Sequence, residues 1–190
     1  MIRDPNIVVT HNGEAQMVTP RDNLYIKNRM VFLTGEIDQD LSLSIISQLL
    51  YLDNESNEDI VLVINSGGGS ISDGFAILDV MNSLDSDVET VCSGMCASMA
   101  AILLAGGTKG KRKAYKNAEV MIHQPLGGIK GQASDIELTA KHILSRKDAL
   151  NTLLAESCCK EKNIIATDTD RDNWMTAAEA LEYGLIDEII

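Results

Sequence analysis

The chain has 190 residues, 45% of them hydrophobic, and a formal net charge of −12 at pH 7. This length suits one domain with a sizeable core, and the negative charge argues against nucleic acid as a general partner because phosphates would be repelled. No apolar run reaches the roughly 18 residues of a membrane-spanning helix, and the first residues lack the apolar core of a signal peptide, so we expect a cytoplasmic protein with no membrane partner.

The first 28 residues are polar and show no regular apolar pattern. Turn-forming residues occur at Pro5 and at Asn12-Gly13, and Pro20 is expected to interrupt any helix in this part of the chain. We therefore predict that residues 1–28 form a flexible arm or loop.

From residue 30 onward, short β-branched runs alternate with longer segments of helical apolar spacing. This alternation is typical of an α/β fold with a largely parallel sheet. In chain order the pattern predicts strand 30–33, helix 41–52, strand 60–64, a helix from residue 71, strand 89–93, helix 98–105, strand 120–122, a helix of about 20 residues from residue 134, and a helix from residue 177 ended by Gly184.

Three of the predicted helices begin with the pattern of a capping box, in which a Ser or Thr and an acidic residue three positions later bind each other's backbone N–H. The pairs are Ser70 with Asp73, Ser134 with Glu137, and Thr176 with Glu179. The long helix from residue 134 follows a Gly-rich segment, and we interpret it as an appendage used in assembly.

Ser98 stands between an apolar strand and an Ala-rich helix, which is the most informative feature of the chain. A serine on such a turn exposes its hydroxyl and leaves the amide of Met99 free at the helix start, as a nucleophile and an oxyanion donor require. His123 closes an apolar strand against a Pro/Gly-rich turn, and Asp168 and Asp172 follow later. The chain therefore offers the components of a Ser/His/Asp triad, with either aspartate as its third member.

The remaining histidines and cysteines are weaker candidates. His11 lies in the polar N-terminal segment, and His142 lies on a predicted helix away from its apolar face. Cys96 is a rival nucleophile two residues before Ser98, although a small buried hydrophobe is the commoner role for such a cysteine. The four cysteines form no Cys-x-x-Cys pair and the three histidines are scattered, so no metal site is expected.

Two further segments have the composition of binding sites. Residues 65–70 carry three consecutive glycines between a strand and a helix, which lets backbone amides approach a ligand closely. The segment lacks the GxxxxGK[ST] and GxGxxG patterns, and an oxyanion-binding or substrate-backbone-binding loop fits as well as a phosphate loop. Residues 109–113 form the one basic cluster, and we favour a solvated turn over a site for phosphate or an acidic patch.

Several short motifs follow one another in a distinctive order. They are Ile64-Asn65-Ser66-x-Gly68-Gly69, Ala97-Ser98-Met99-Ala100, Gly110-Lys111-Arg112, Met121-Ile122-His123-Gln124-Pro125-Leu126-Gly127-Gly128, Gly131-Gln132-Ala133 and Asp168-Thr169-Asp170-Arg171-Asp172. Together they resemble the ClpP family, the proteolytic subunits of the ATP-dependent Clp protease. The resemblance extends from about residue 29 to residue 189.

The resemblance implies a crotonase-like α/β fold built from repeated β-β-α units. It implies a single peptidase domain over residues 29–190, with a protruding helix-strand handle at 124–160, and an axial loop within residues 1–28. The catalytic residues that it implies are Ser98 as nucleophile, His123 as general base, and Asp172, rather than Asp168, as the carboxylate that orients the histidine.

The resemblance also implies a set of binding and contact residues. The backbone amides of Gly69 and Met99 would form the oxyanion hole. Two segments would hold the substrate by its backbone, one made of Gly69, Ser70 and Ile71 and the other of Leu126, Gly127 and Gly128. Ring–ring contacts would involve Gln132, Asp170 and Arg171.

The implied partners are further copies of the chain, in heptameric rings stacked as a tetradecamer around a closed chamber. A separate AAA+ ATPase would use ATP to feed unfolded polypeptides into the chamber, so this chain itself would need no cofactor. A paralogous ClpP subunit is a further expected partner.

The chain departs from the family pattern at three places. Gly67 replaces the usual proline, which should loosen the oxyanion loop, and Met95-Cys96 replaces the more typical Gln-Ala. Residues 1–28 lack the usual Tyr-Asp-Ile-Tyr-Ser-Arg helix. The altered N-terminal segment leaves open a weakly active or regulatory paralogue in a mixed ring. The general fold leaves open a second alternative, an acyl-CoA enzyme, although nothing in the sequence requires a coenzyme A site.

Overall fold

A mostly parallel β-sheet occupies the centre of the chain in the computed structural model, which describes residues 5–11 and 14–190. The elements are β1 (Ile7–His11), β2 (Glu14–Val18), α1 (Pro20–Asn28), β3 (Met30–Thr34), α2 (Gln39–Glu55), β4 (Ile60–Ser66), α3 (Ile71–Ser83), β5 (Val88–Ala97), α4 (Met99–Ala105), β6 (Arg112–Ala114), β7 (Glu119–Ile122), α5 (Ala133–Cys158), α6 (Lys162–Asp168), β8 (Asn173–Thr176), α7 (Ala177–Tyr183) and β9 (Glu188–Ile189). Every strand and helix predicted from residue 30 onward is present, and the pattern missed β6, α6, β8 and β9.

The sheet changes partners along β5, and this change positions the end of that strand. Strands β3, β4, β5, β6 and β9 lie side by side and parallel. The first half of β5 pairs with β6 as far as Cys92, whereas the second half pairs with β7 from Met95 onward. Gly94, with a φ of 96°, lies between the halves. The end of β5 is thereby directed along β7, which pairs antiparallel with β8.

Helix α4 forms the middle of the hydrophobic core. Its sequence is apolar all round, and every residue from Met99 to Ala105 is buried, as expected for a helix surrounded by other elements. It packs against α3 and α5 on the helical side and against β4, β5, β6 and β7 of the sheet. Ser98, which immediately precedes it, is therefore attached to one of the most constrained elements of the fold.

The N-terminal segment differs from the prediction of an irregular arm. Strands β1 and β2 form an antiparallel hairpin, and α1 follows it. Pro20 begins α1 instead of interrupting a helix, because the first turn needs no N–H from that position. Thr19 caps the helix: its hydroxyl accepts the N–H of Asp22 at 3.1 Å, and the Asp22 carboxylate accepts the N–H of Thr19 at 3.2 Å. The predicted turn at Asn12-Gly13 lies outside the described residues.

Two of the three predicted helix starts are confirmed. Thr176 and Glu179 form a complete capping box, and the Ser70 hydroxyl accepts the N–H of Asp73. The box predicted at residues 134–137 is wrong, because α5 already begins at Ala133 and its preceding residue, Gln132, makes no side-chain cap.

The two halves of α5 have different surroundings. The helix has 26 residues. Its second half is anchored in the core by Leu150 and Leu154, whereas Leu138 and Leu144 in the first half are 65% and 63% exposed. Residues 124–132, which precede the helix, form no regular strand. Across residues 5–11 and 14–190, no helix combines the length and the apolar character needed to cross a membrane.

The basic cluster at residues 109–113 is a solvated turn only in part, because Lys109 and Gly110 form an exposed turn whereas residues 111–113 are partly or fully buried. Arg112 is only 3% exposed, and its guanidinium donates to both carboxylate oxygens of Asp187, at 2.8 and 2.6 Å. These hydrogen bonds lower the pKa of Asp187. The neighbouring cations form further ion pairs within the chain, Lys111 with Asp59 and Asp87, and Lys113 with Glu89. Acidic side chains of the chain itself therefore pair with three of the four cations of this cluster, whereas Lys109 contacts the sulfur of Cys159.

Candidate active site

Ser98 has the backbone conformation of a residue held in a strained turn. It connects the end of β5 to the start of α4, with φ at 56° and ψ at −123°. A non-glycine residue rarely adopts a positive φ, and such strain persists only where surrounding structure enforces it. Here the Ser98 N–H donates to the carbonyl of Met121 on β7 at 2.8 Å. The predicted strand-to-helix turn is therefore confirmed in position.

Hydrogen bonds connect three side chains from distant parts of the sequence at this turn. The Nε2 atom of His123 lies 2.8 Å from the Ser98 hydroxyl oxygen, and Nδ1 lies 3.0 Å from a carboxylate oxygen of Asp172. They meet because His123 directly follows β7 and Asp172 directly precedes β8, and the antiparallel register pairs Ile122 with Asn173. A neutral histidine with its proton on Nδ1 satisfies both contacts, donating to Asp172 and accepting from Ser98.

The other candidates from the sequence are occupied elsewhere. Asp168 accepts a hydrogen bond from the Tyr183 hydroxyl at 2.8 Å, so it is not the partner of His123. Cys96 is fully buried, and burial raises the pKa of its thiol well above the usual range. A buried thiol with a high pKa is a poor nucleophile. His142 is exposed on α5. The side chain of His11 lies outside the described residues.

The glycine loop packs directly against the Ser98 turn. A β-carbon added at Gly68 would lie 2.8 Å from the Ser98 β-carbon and 2.9 Å from the Met99 nitrogen. Gly69 has a φ of 153°, and a β-carbon there would collide with the backbone of Ile37. Both glycines are thus required for close approach of backbone to backbone, which explains two of the three consecutive glycines.

Hydrogen bonds on both sides hold the loop in place despite the glycine at position 67. The Ser66 hydroxyl accepts the Gly68 N–H at 3.0 Å and donates to the carbonyl of Gly35. On the other side, Ile37 donates its N–H to Gly68 and its carbonyl accepts from Ser70, each at 2.8 Å. We infer that these hydrogen bonds determine the conformation of the loop. The glycine at position 67 then only increases the conformational entropy of the unfolded chain.

Gly67→Ala should therefore stabilise the protein. Gly67 is exposed, its φ is not positive, and an added β-carbon would make only an ordinary 3.7 Å contact with Met95. The gain in the free energy of unfolding should be about 0.4–1 kcal/mol, because alanine restricts the unfolded chain. Thermal unfolding should show a higher midpoint, whereas Gly69→Ala, which collides with Ile37, should lower it. A lower midpoint for Gly67→Ala would contradict this interpretation.

A cavity of about 250 Å³ lies beside Ser98 and His123, and we call it the inner cavity. The more exposed part of its lining includes Gly69, Ile71, Pro125 and Leu126. Its deeper wall is apolar and comes from α4, β7 and α5, through Met99, Ile102, Met121, Ile122, Leu150 and Leu154. The sequence did not indicate this wall, since its residues looked like ordinary core positions.

A family model for Clp protease matches residues 12–190 of the chain. The chain belongs to the Clp protease family. The α/β fold expected from the motifs is thereby confirmed, and the match includes residues 12–28 of the N-terminal segment, which lacks the usual helix motif. Clp proteases are serine peptidases, and the arrangement around Ser98 supplies the groups that such a peptidase needs.

The remaining residues assigned from the Clp protease pattern do not line the inner cavity. Gly127 packs near Ile143 of α5, and Gly128 faces open space, so neither lines the inner cavity. Gln132 is exposed just before α5. Asp170 accepts a hydrogen bond from the side chain of Gln124, whereas the side chain of Arg171 is 92% exposed.

Sequence reasoning missed a link between α5 and the segment that carries Asp172. Lys147 donates to the side-chain Oε1 of Gln124 at 2.9 Å, and the side-chain Nε2 of Gln124 donates to the Asp170 backbone carbonyl at 2.7 Å. Gln124 is adjacent to His123, and Asp170 is two residues from Asp172, so the link fixes both sides of the His123–Asp172 contact. The feature of the sequence that could have predicted this link is the position of Gln124 directly after His123.

Proposed function

We propose that the chain is a serine endopeptidase that hydrolyses peptide bonds of unfolded polypeptides. Ser98 would attack the peptide carbonyl, His123 would accept its proton and deliver it to the leaving amine, and Asp172 would orient the imidazole and stabilise its charged form. The observation that carries this proposal is the pair of hydrogen bonds, 2.8 and 3.0 Å long, that joins the strained Ser98 to His123 and Asp172.

The proposed oxyanion hole consists of the backbone N–H groups of Gly69 and Met99. Met99 is the first residue of α4, where backbone N–H groups have no partner within the helix. Both residues line the inner cavity together with Ser98. Fixed N–H donors of this kind stabilise the negative charge that develops on the carbonyl oxygen. Segments 69–71 and 126–128 would hold the substrate backbone on either side, and the apolar wall would take an apolar side chain.

The proposal is tested by labelling the protein with a fluorophosphonate, which transfers its phosphonyl group to an activated serine oxygen and loses fluoride. We expect mass spectrometry to locate the label on Ser98. His123→Ala should remain unlabelled, whereas His142→Ala, a matched change at the exposed histidine, should be labelled like the unmodified protein. A label on another serine, or none at all, would contradict the assignment.

We propose further that the active form is a tetradecamer of two heptameric rings, with Gln132, Asp170 and Arg171 at the ring–ring contact. The Asp172 side chain is 62% exposed in the single chain, so water competes with its hydrogen bond to His123. A contact that covers this segment would strengthen the bond. Assembly and activity would then be linked through residues 170–172.

Arg171→Ala should yield single rings and a peptidase activity that is lower by about tenfold or more, since small displacements of catalytic groups are costly. Arg171 is almost fully exposed, so the substitution should not unfold the chain. Sedimentation and peptide hydrolysis would be measured on the same sample, with the exposed Lys130→Ala as a control. Single rings with full activity, or intact double rings with none, would refute the link.

We propose that a separate AAA+ ATPase unfolds substrates for this chain. The sequence has no GxxxxGK[ST] loop with which to bind and hydrolyse ATP itself. We expect short peptides to be cleaved without nucleotide, and a tagged folded protein to be degraded only when a Clp-type ATPase and ATP are added. Degradation of the folded protein by this chain alone would contradict the proposal.

A weakly active or regulatory role in a mixed ring is the second candidate, and the departures from the family pattern motivate it. Gly67 favours it only weakly, because hydrogen bonds on both sides hold the oxyanion loop in place. The N-terminal departure favours it less than the sequence alone did, because α1 is present. Native mass spectrometry of the chain, alone and with a paralogous subunit, separates the candidates. Homo-oligomers that hydrolyse peptides support the first, whereas activity confined to mixed rings supports the second.

A further inference from the structure

A groove of about 480 Å³ lies beside α5 and next to the inner cavity, and we call it the outer groove. Gly69, Ile71, Pro125 and Leu126 line both spaces, so the two are adjacent. The lining of the outer groove differs in character from that of the inner cavity. It adds the polar or charged residues Glu36, Ser70, Ser72, His142 and Arg146 and the apolar Ile143.

Arg146 is the group in this groove best prepared to bind a ligand. Its guanidinium carbon lies 5.8 Å from the centre of the Phe75 ring on α3, so the cation rests near an aromatic ring. This contact restrains the side chain but leaves its N–H donors available, which suits a carboxylate. Among the described residues, Arg146 forms no ion pair or hydrogen bond.

The other charges of the chain restrict the place at which an acidic ligand can bind. The chain as a whole carries a net charge of −12, which repels acidic ligands from most of its surface. Glu36, on the loop between β3 and α2, also lines the outer groove and disfavours a carboxylate near its own position. An acidic group is therefore favoured beside Arg146 rather than along the whole groove.

We propose that the outer groove is a subsite in which Arg146 binds a carboxylate of the peptide substrate. This inference rests on the proposed peptidase function, because it assumes that a peptide reaching Ser98 also extends along the shared walls. The carboxylate belongs either to an Asp or Glu side chain a few residues from the cleaved bond or to the C-terminus of a short peptide. Arg146 would thus determine substrate specificity.

The test uses fluorogenic peptides that carry Glu or Gln at successive positions on each side of one cleavage site, each with a free or an amidated C-terminus. At one position kcat/KM should be about three- to tenfold higher for Glu than for Gln, as expected for a partly exposed charge-assisted contact. Arg146→Gln should bring this ratio close to one, and Arg146→Glu should reverse it. If only amidation changes the rate, the bound group is the terminal carboxylate.

Lys141→Glu provides a matched control. This substitution changes the charge by the same amount as Arg146→Glu and lies on the same helix. Lys141, however, pairs with Glu137 and does not line the groove. We expect this variant to keep the Glu-to-Gln ratio. Equal rates for Glu and Gln at every position together with no effect of amidation would overturn the proposal. It would also be overturned if Arg146→Gln left the preference for the carboxylate intact, or if Lys141→Glu changed that preference equally.

A binding measurement keeps this inference separate from the proposed function. Labelled Glu and Gln peptides can be titrated onto Ser98→Ala and followed by fluorescence anisotropy, which requires no catalysis. If the unmodified protein hydrolyses no peptide, the proposed function fails, while a preference of Ser98→Ala for the Glu peptide, lost on adding Arg146→Gln, would still support the subsite. Hydrolysis of neutral peptides with no such preference in either assay would sink the subsite alone.

Discussion

Ser98→Ala should abolish peptide hydrolysis and leave the fold intact. Removing the nucleophile of a triad costs on the order of 10⁴- to 10⁶-fold in turnover, because the remaining groups then have no oxygen to activate. The substitution removes only an oxygen from a side chain whose hydrogen bond goes to His123. Turnover of a fluorogenic peptide and the thermal unfolding midpoint would be measured together. We expect loss of turnover with little change in the midpoint.

Cys96→Ala is the control for this prediction, because Cys96 is the rival nucleophile nearest in sequence. Its thiol is buried and contacts the backbone carbonyl of Ile64 at 3.7 Å, on the core side of β5. We expect Cys96→Ala to keep peptidase activity. If Cys96→Ala lost the activity and Ser98→Ala retained it, the assignment of the nucleophile would be wrong.

Two residues of the candidate site, Ser98 and His123, could be predicted because each directly follows a strand. Ser98 follows β5 and His123 follows β7, and both strands are visible in the sequence as apolar runs. The choice between Asp168 and Asp172 could not be made from the pattern of strands. It depends on β8, a strand of only four residues, whose antiparallel pairing with β7 brings Asp172 to His123.

The wrong predictions at Pro20 and in the basic cluster share a physical cause, which is that one residue type fits opposite environments. Pro20 ends a helix when it lies inside one and begins a helix when it occupies the first turn. The deciding signal in the sequence is Thr19 with Asp22 three positions later, which form a capping box. The basic cluster misled for a similar reason, because Arg112 finds Asp187 at a separation of 75 residues.

The outer groove shows what only the folded chain reveals. His142 and Arg146 are four residues apart and therefore lie on one face of α5. In the sequence this face appears as a solvated polar side of an amphipathic helix. It becomes a wall of the groove because α5 passes beside the segment that begins α3, where Phe75 contacts Arg146. Neither helix alone indicates a binding site.

Gly68→Ala should reduce peptidase activity on the order of 10²- to 10³-fold, as expected when a fixed oxyanion donor is displaced. Gly68 has a φ of 93°, so alanine there is strained, and its β-carbon would approach the Ala97 carbonyl oxygen to 2.7 Å and the Met99 nitrogen to 2.9 Å. These neighbours are backbone atoms on either side of Ser98, and they can yield only if the turn itself moves. Hydrogen bonds to Ser98 and the direction of the Met99 N–H would then change.

Gly35→Ala separates the collision from the backbone strain. Gly35 has the same φ of 93°, but an added β-carbon there would meet no atom within 4 Å. Both variants should therefore lose about 1 kcal/mol of stability from the left-handed conformation. We expect only Gly68→Ala to lose fluorophosphonate labelling and peptide turnover as well. Equal losses of activity in the two variants would show that backbone strain at a left-handed glycine is enough to reduce activity. Contact of the added β-carbon with the Ser98 turn would then not be the cause.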